Sequence, residues 1–266
     1  MLETQTGLDA PEDRLTAEFL NKIFGQILPA TVILFLAAGC SAVERKLLFY
    51  PSHRPSGGTL TPWMVDKETI GYSRNSASPK AVWLMLPGNG GQASDREYAI
   101  PSFSPEDSVF ILEYPGYGNR NGVPSKESFD RAAKDAYFRL REIFPRIPVC
   151  VVGESIGTGA ASTLASLPHP PDKIVLIVPF DKLSLVGKDH LPSFLVDLIL
   201  SDDWDNVAAL STYKGPVDIF GAESDTVIPV KHARALAAAL PSARFTLIAG
   251  GHNDWSRSGR VRITGP

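Results

Sequence analysis

The apolar positions of this chain fall into short continuous runs that polar or glycine-rich loops separate. Runs at Ala81–Leu86, Val109–Glu113, Val149–Val152, Ile174–Val178, Val217–Phe220 and Phe245–Ile248 predict strands that are buried on both faces. Lys126–Phe144, Ile156–Leu167 and the alanine-rich Val230–Leu240 have the composition or the spacing of helices. Strands that alternate with helices predict the α/β class, with a mostly parallel sheet covered by helices on both faces.

Two stretches depart from this alternation. Trp63–Tyr72 alternates loosely enough for one or two strands at the edge of the sheet. Pro179–Gly215 contains a short helical segment at Leu191–Leu200, an acidic turn and another short helix. We expect residues 179–215 to form a small cap inserted in one domain that spans residues 41–266.

The junction between the Val149–Val152 strand and the next helix has the form G-x-S-x-G, with Ser155 at its centre. A strand that turns sharply into a helix holds such a serine in a strained conformation above the sheet edge. The positive end of the helix dipole favours an anion that develops beside the hydroxyl. Ser155 is therefore predicted to be a nucleophile, and the alternative is an ordinary tight turn with a buried serine.

A nucleophilic serine needs a base, and the base needs an acid that orients it. Asp225 follows the strand Val217–Phe220, and His252 follows the strand Phe245–Ile248. The carboxyl ends of parallel strands meet at one edge of the sheet, so we expect Ser155, Asp225 and His252 to lie close together. Glu223 is the competing acid, and Asp225 could instead be the N-cap of a helical segment that contains Val227–Pro229. The histidines without a strand-end position are expected at the surface: His53, His169, His190 and His232.

An oxyanion that forms during attack on a carbonyl needs two hydrogen-bond donors. One is the backbone N–H of Ile156, the residue after the serine. The second is expected in the loop Pro87-Gly88-Asn89-Gly90-Gly91 that follows the strand Ala81–Leu86. We favour the N–H of Asn89, with Gly90 as the second choice and a plain glycine-rich turn as the alternative.

An uncharged run near the N-terminus, Leu28–Ser41, ends in small residues around Cys40. It has about the length of a signal-peptide core and is shorter than the ~20 residues that span a bilayer. The run resembles the lipobox of bacterial lipoproteins, although Leu36 lies one place early and acidic residues precede the run. The resemblance implies that residues 1–40 act as a signal peptide or membrane anchor, that Cys40 is lipidated and that the protein is anchored in the bacterial cell envelope. An uncleaved anchor and a buried N-terminal helix are the alternatives.

Composition excludes some partners. The 266-residue chain has a formal net charge of −3 and no long basic stretch, which argues against nucleic acid as a partner. Cys150 lies in an apolar strand and is expected to be a small buried residue. No C-x-x-C pair or His/Cys cluster indicates a metal, and no cofactor is expected.

Six motifs together resemble the α/β-hydrolase superfamily, and more narrowly its BEM46-like serine hydrolases, which are related to ABHD13 and ABHD17. They are LLFYPS (Leu47–Ser52), LPGNGG (Leu86–Gly91), EYPGYG (Glu113–Gly118), GESIG (Gly153–Gly157), GAESDTVIP (Gly221–Pro229) and GGHND (Gly250–Asp254). The resemblance implies an α/β-hydrolase fold, a catalytic triad of Ser155, Asp225 and His252, and an oxyanion hole at Asn89 and Ile156.

The same resemblance implies hydrolysis of an ester or thioester in a small acyl or lipid-like substrate through an acyl-enzyme. The chain departs from the family pattern at Pro87, where a histidine is usual, and at Pro115, where an arginine is usual. An amidase or peptidase with the same triad and a non-catalytic envelope lipoprotein are the alternative functions.

Overall fold

A computed structural model describes residues 42–257, 259 and 261–266. The predictions for the signal peptide or anchor and for lipidation of Cys40 lie outside the described residues. Within the described ranges, no helix is both long enough and apolar enough to cross a membrane.

The elements follow one another in an α/β order. Helix α1 covers residues 42–48. The strands are β1 (Tyr50–Pro51), β2 (Thr61–Val65), β3 (Glu68–Arg74), β4 (Val82–Leu86), β5 (Gly90–Gly91), β6 (Ser108–Leu112), β7 (Val149–Glu154), β8 (Ile174–Ile177), β9 (Val217–Ala222) and β10 (Arg244–Ile248). The further helices are α2 (Lys126–Ile143), α3 (Gly157–Thr163), α4 (Leu183–His190), α5 (Ser193–Ile199), α6 (Asn206–Leu210) and α7 (Val230–Ala239), with 3-10 helices at Ala93–Ser102 and Leu164–Ser166.

The main sheet has eight strands in the order β10-β9-β8-β7-β4-β6-β3-β2. Strand β3 runs antiparallel to both of its neighbours, and every other neighbouring pair is parallel. The hairpin of β2 and β3 supplies the edge that the loose alternation of Trp63–Tyr72 predicts. Strands β1 and β5 form a separate parallel pair, which ties the chain after α1 to the loop that follows β4.

Side chains of the central strands alternate between two hydrophobic clusters, as the pleat of a strand requires. In β4, Val82, Leu84 and Leu86 pack into one cluster, and Trp83 and Met85 pack into the other. The first cluster includes residues of α2, α3 and α7, and the second includes the 3-10 helix Ala93–Ser102 and the C-terminal chain around Trp255. The predicted α/β class with a mostly parallel sheet and flanking helices is confirmed.

The segment from 179 to 215 contains three helices, where the sequence predicted two. Helix α4 was missed, although Leu183 and Val186 are buried one helical turn apart. Gly187 within it and Pro192 after it are the reason, because both residues usually interrupt helical patterns. Pro192 separates α4 from α5, which begins at Ser193.

Candidate active site

Ser155 occupies a strained turn between β7 and α3. Its backbone has φ of +53°, which is the left-handed region that L-residues avoid. Its N–H donates to the carbonyl of Ile177 at 2.9 Å, which fixes the turn against β8. A Cβ at Gly157 would lie 2.2 Å from the carbonyl oxygen of Leu86, so only glycine lets the helix approach β4 this closely.

Ser155, His252 and Asp225 form one hydrogen-bonded chain. His252 Nε2 lies 2.9 Å from Ser155 Oγ, and His252 Nδ1 lies 2.7 Å from Asp225 Oδ2. Because an ionised carboxylate only accepts, Nδ1 carries the proton and Nε2 is left to accept the serine hydroxyl. The three residues come from loops after β7, β9 and β10, at the same edge of the sheet.

The Asp225 loop holds the carboxylate in a fixed orientation. Asp225 Oδ1 accepts from the N–H groups of Val227 and Ile228 at 2.9 and 2.8 Å, while Oδ2 faces His252. These are contacts within a turn and not a helix cap, because the next helix, α7, begins at Val230 with Pro229 at its N-cap position. Glu223, the competing acid, is exposed.

The histidine loop is shaped by glycine. Gly250 has φ of +101°, and its carbonyl accepts from the N–H of Ser224 at 3.0 Å, which joins this loop to the Asp225 loop. The N–H of Gly251 donates to Asp254 Oδ2 at 3.0 Å. These contacts position the ring of His252, whose side chain is 11% exposed.

Asn89 and Ile156 border the same cavity as Ser155. The N–H of Gly88 is used, because it faces Glu154 Oε2 at 3.4 Å. Across the described residues, neither the Asn89 N–H nor the Ile156 N–H donates to another protein group. The two residues predicted as oxyanion donors thus border the cavity that contains Ser155, and their N–H groups have no protein acceptor in the described part of the chain.

The serine lies at the floor of an apolar cavity of about 450 Å³. Helices α4 and α5 supply much of its wall, including Leu183, Val186, Leu195 and Ile199. Helix α1 contributes Leu47 and Leu48 to the same lining. A cavity of this size and lining is typical of sites for small apolar ligands, which span ~300–1,000 Å³.

Sequence reasoning missed a half-buried polar network beside the serine. Glu154 Oε1 accepts from Tyr98 Oη at 2.8 Å and from Trp255 Nε1 at 2.8 Å. Arg96 Nη1 donates to Tyr98 Oη at 3.1 Å. Glu154 is the first of the two variable residues of the G-x-S-x-G motif, so its position was visible, but Tyr98 and Arg96 come from a segment without a motif.

His232 corrects one prediction. It was expected at the surface, but it is 4% exposed on α7, with Nδ1 at 2.8 Å from Asp181 and Nε2 at 2.9 Å from Asp189. A histidine that joins two carboxylates across distant elements leaves no local sequence signal. The prediction is right for His53, His169 and His190, which are exposed.

Two further sequence predictions concern Cys150 and metal ligands. Cys150 is buried in β7 as expected, and burial raises the pKa of its thiol to about 12. Throughout the part of the chain that the structure describes, no group of three or more His, Cys, Asp and Glu side chains is arranged to hold a metal ion.

The strand order, with one antiparallel strand beside the edge, and the elbow between β7 and α3 define an α/β-hydrolase fold. Solved structures share it. The chain matches an esterase from Pyrococcus furiosus with a TM-score of 0.58 and 14% identity, covering 80% of this chain and 97% of the esterase. It matches the enol-lactonase from Burkholderia xenovorans with a TM-score of 0.54 and 12% identity, covering 70% and 91%.

Sequence relatives extend this likeness, although no protein-family model matches the chain. An uncharacterised protein of Mycobacterium tuberculosis is 28% identical over 250 residues, covering 85% of this chain and 88% of the relative. The lysophosphatidylserine lipase ABHD12 of Danio rerio is 29% identical over 194 residues, which are 64% of this chain and 50% of the lipase. The chain thus aligns with about half the length of that lipase.

Proposed function

We propose that this protein is a serine hydrolase that cleaves carboxylic esters or thioesters with an apolar acyl group. The observation that carries the proposal is the hydrogen-bonded chain from Ser155 through His252 to Asp225 at the floor of an apolar cavity. The esterase fold neighbour and the lipase relative support the same reaction class.

The proposed mechanism has two steps. His252 Nε2 takes the hydroxyl proton while Ser155 Oγ forms a bond to the acyl carbon, and the N–H groups of Asn89 and Ile156 stabilise the oxyanion. Collapse of the intermediate breaks the ester bond, and His252 gives its proton to the leaving alcohol or thiol. A water molecule then attacks the acyl-enzyme, with His252 again as base, and releases the acid.

Labelling by a fluorophosphonate probe tests the nucleophile. We expect the native chain to be labelled and Ser155→Ala to remain unlabelled, with Ser162→Ala as the control because Ser162 is a buried serine of the neighbouring helix. A folded native chain that is neither labelled nor active on p-nitrophenyl esters would contradict the proposal and favour a binding module. Turnover of anilides as fast as of esters would favour an amidase.

The cavity lining predicts a preference for longer acyl chains. Each methylene that enters an apolar cavity contributes about 0.8 kcal/mol, or about fourfold in kcat/KM, until the cavity is full. Ile199→Trp should shorten the preferred chain, because Ile199 lines the cavity. Leu198→Trp is the matched control, since Leu198 is 66% exposed on the outer face of the same helix. Equal profiles for both variants would place the acyl group elsewhere.

We also propose that the protein is held at a membrane. Leu47 of α1 and Leu191 line the cavity and are partly exposed, and Phe194 and Leu198 of α5 are 70% and 66% exposed. The uncharged run that ends near Cys40 leads directly into α1. Mass spectrometry of membrane-extracted protein tests the tether: a chain that starts at an acylated Cys40 supports lipidation, and attached residues before Cys40 contradict it.

A further inference from the structure

The loop between β4 and β5 carries the second proposed oxyanion donor, yet Pro87 stands where the motif resemblance expects a histidine. The carbonyl groups of Pro87 and Asn89 in this loop accept hydrogen bonds from different donors. Tyr114 Oη donates to the Pro87 carbonyl at 3.2 Å, and the Asn89 carbonyl accepts from Tyr117 Oη at 2.7 Å and from the Tyr50 N–H at 2.9 Å. The remaining carbonyls, those of Gly88 and Gly90, face one side chain.

That side chain is Arg96, on the 3-10 helix after the loop. Its Nη2 donates to the carbonyl of Gly90 and lies 3.4 Å from the carbonyl oxygen of Gly88. The two contacts lie on either side of Asn89. Arginine suits this position because its planar, always charged guanidinium donates in several fixed directions at once.

The contact between Arg96 and the Gly88 carbonyl also fixes the direction of the Asn89 N–H, because both groups belong to one planar peptide unit. In a trans peptide, the carbonyl of one residue and the N–H of the next point in opposite directions. The Gly88 carbonyl faces Arg96, so the Asn89 N–H points away from Arg96. Asn89 borders the cavity that contains Ser155, and a Cβ at Gly88 would lie 3.4 Å from Ser155 Cβ, so this peptide is in contact with the nucleophile.

The preceding peptide unit, Pro87–Gly88, is also held. The Gly88 N–H faces Glu154 Oε2 at 3.4 Å, and Tyr98 connects Glu154 to Arg96 through hydrogen bonds of 2.8 and 3.1 Å. Gly88 is thus enclosed by a ring of Arg96, Tyr98 and Glu154. The Gly88 N–H is thus used, whereas the N–H of the next unit, that of Asn89, has no protein acceptor among the described residues.

We propose that Arg96 is a positioning residue for the oxyanion hole: it fixes the Gly88–Asn89 peptide so that the Asn89 N–H faces the reacting carbonyl. The inference rests on the proposed serine hydrolase function. Arg96 touches neither the substrate nor the serine. It orients the peptide and polarises it, because a cation at a peptide carbonyl strengthens the N–H of the same unit as a donor.

Substitution of Arg96 tests whether this residue positions the Gly88–Asn89 peptide or only stabilises the fold. Arg96→Met should lower kcat about 10- to 100-fold with little change in KM, which is less than the ~10²–10³ for complete loss of an oxyanion donor. Arg96→Lys should lose less, because one ammonium keeps the charge but lacks the guanidinium fork. The matched control is Arg74→Met, since Arg74 also donates to two carbonyls, those of Ser104 and Asp107, away from the loop.

Inhibitor binding distinguishes a positioning role of Arg96 from a purely structural one. An apolar trifluoromethyl ketone forms a tetrahedral adduct with Ser155 and places an oxyanion in the hole, whereas the matching secondary alcohol fills the cavity without an oxyanion. We expect the Arg96 variants to lose ketone affinity in proportion to kcat and to keep alcohol affinity within about twofold. The Arg74→Met variant should bind both compounds like the native chain, whatever its thermal stability.

Two results would overturn the inference alone: ketone affinity that Arg96→Met and Arg96→Lys both retain, or an equal loss in Arg74→Met. The function fails separately. If the native chain shows no turnover that depends on Ser155, the proposed hydrolase is wrong and the positioning role falls with it. Because Arg96→Lys keeps the buried charge, it gives a folded test if Arg96→Met proves too unstable to measure.

Discussion

Two substitutions that both remove the Ser155 hydroxyl measure the backbone strain at this residue independently of its role in the reaction. A residue with a Cβ at φ of +53° carries a cost of about 1–2 kcal/mol that glycine avoids. Ser155→Gly should therefore have a free energy of unfolding about 0.5–1 kcal/mol above that of Ser155→Ala, after the larger chain entropy of glycine is subtracted. Urea unfolding of the two inactive variants measures the difference.

The same pair at Ser162, within α3, should give the opposite sign. Glycine in a helix is less favourable than alanine by up to about 1 kcal/mol. If Ser155→Gly were also less stable than Ser155→Ala, the turn would carry no strain, and the serine would be held by its surroundings alone.

Glu113 gives the protein a pH dependence that is unusual for a carboxylate. Burial raises its pKa to about 7 from an ordinary value of 4.5. The folded state thus binds the proton more tightly than the unfolded state. The contribution of Glu113 to stability is complete below about pH 4.5 and is lost as the pH rises through about 7.

Glu113→Gln should therefore become more stable than the native chain as the pH rises, by about 2–3 kcal/mol near pH 8, because the amide stays neutral. Denaturant unfolding over a pH series measures this difference. Glu223→Gln is the control, since it removes one charge from an exposed position. A pH-independent gap between Glu113→Gln and the native chain would show that Glu113 does not titrate in this range.

Among the elements, the contact between the elbow and β4 is the tightest point near the serine. Gly157→Ala would place a Cβ 2.2 Å from the Leu86 carbonyl oxygen and 2.5 Å from that of Pro87. Both are backbone atoms, so the loop with Asn89 must shift. We expect kcat to fall more than tenfold and the free energy of unfolding to fall by about 1–3 kcal/mol.

Gly57→Ala is the matched control, because a Cβ at Gly57 meets nothing within 4 Å. Steady-state kinetics and urea unfolding of the two variants give both quantities. Native kcat in a folded Gly157→Ala chain would mean that the loop moves without consequence for the reaction.

Elements differ in how far the sequence predicts them. Five of the six apolar runs predicted the central strands, because continuous burial leaves a local pattern. The sixth run, Phe245–Ile248, predicted β10, but this strand lies at the sheet edge and is not buried on both faces, with Leu247 exposed. The proximity of Ser155, Asp225 and His252 was predictable because each follows a strand of the sheet, and parallel strands end at one edge. Helix α4 and the 3-10 helix Ala93–Ser102 were missed because glycine or proline interrupts their patterns.

Contacts between polar residues that lie far apart in the sequence could not be predicted, for a related reason. Arg96 meets Gly88 and Gly90 only after β4 and the 3-10 helix have packed, and His232 meets Asp181 across 51 positions of the chain. A charged residue in a polar segment looks like a solvated one until the fold buries it. Strand ends are predictable from local patterns, whereas the polar groups that support them are not.

At the scale of the whole molecule, the cavity, α1 and α5 belong to one face. Leu47 and Leu191 line the cavity and reach the surface, and Phe194 and Leu198 lie one turn apart on the outer side of α5. We call these four residues the apolar rim. Because α1 begins two residues after Cys40 and carries Leu47 of the rim, the tether proposed at Cys40 would bring the cavity mouth close to a bilayer. A substrate that is itself a lipid could then enter without crossing water.

The apolar rim therefore predicts that substitutions in it slow hydrolysis of an ester in vesicles but not of a soluble ester. Phe194→Glu with Leu198→Glu should lower the initial rate on a long-chain ester in anionic vesicles at least about tenfold, because charged side chains are costly at the acyl boundary. Hydrolysis of a short soluble ester should stay within about twofold, since neither side chain is at Ser155.

Val123→Glu with Ile143→Glu is the control, because both residues are exposed and apolar but lie outside the rim. Equal rates on vesicles for the native and rim variants would contradict docking at this face, and a change from dimer to monomer with unchanged vesicle rates would assign the rim to a second copy of the chain.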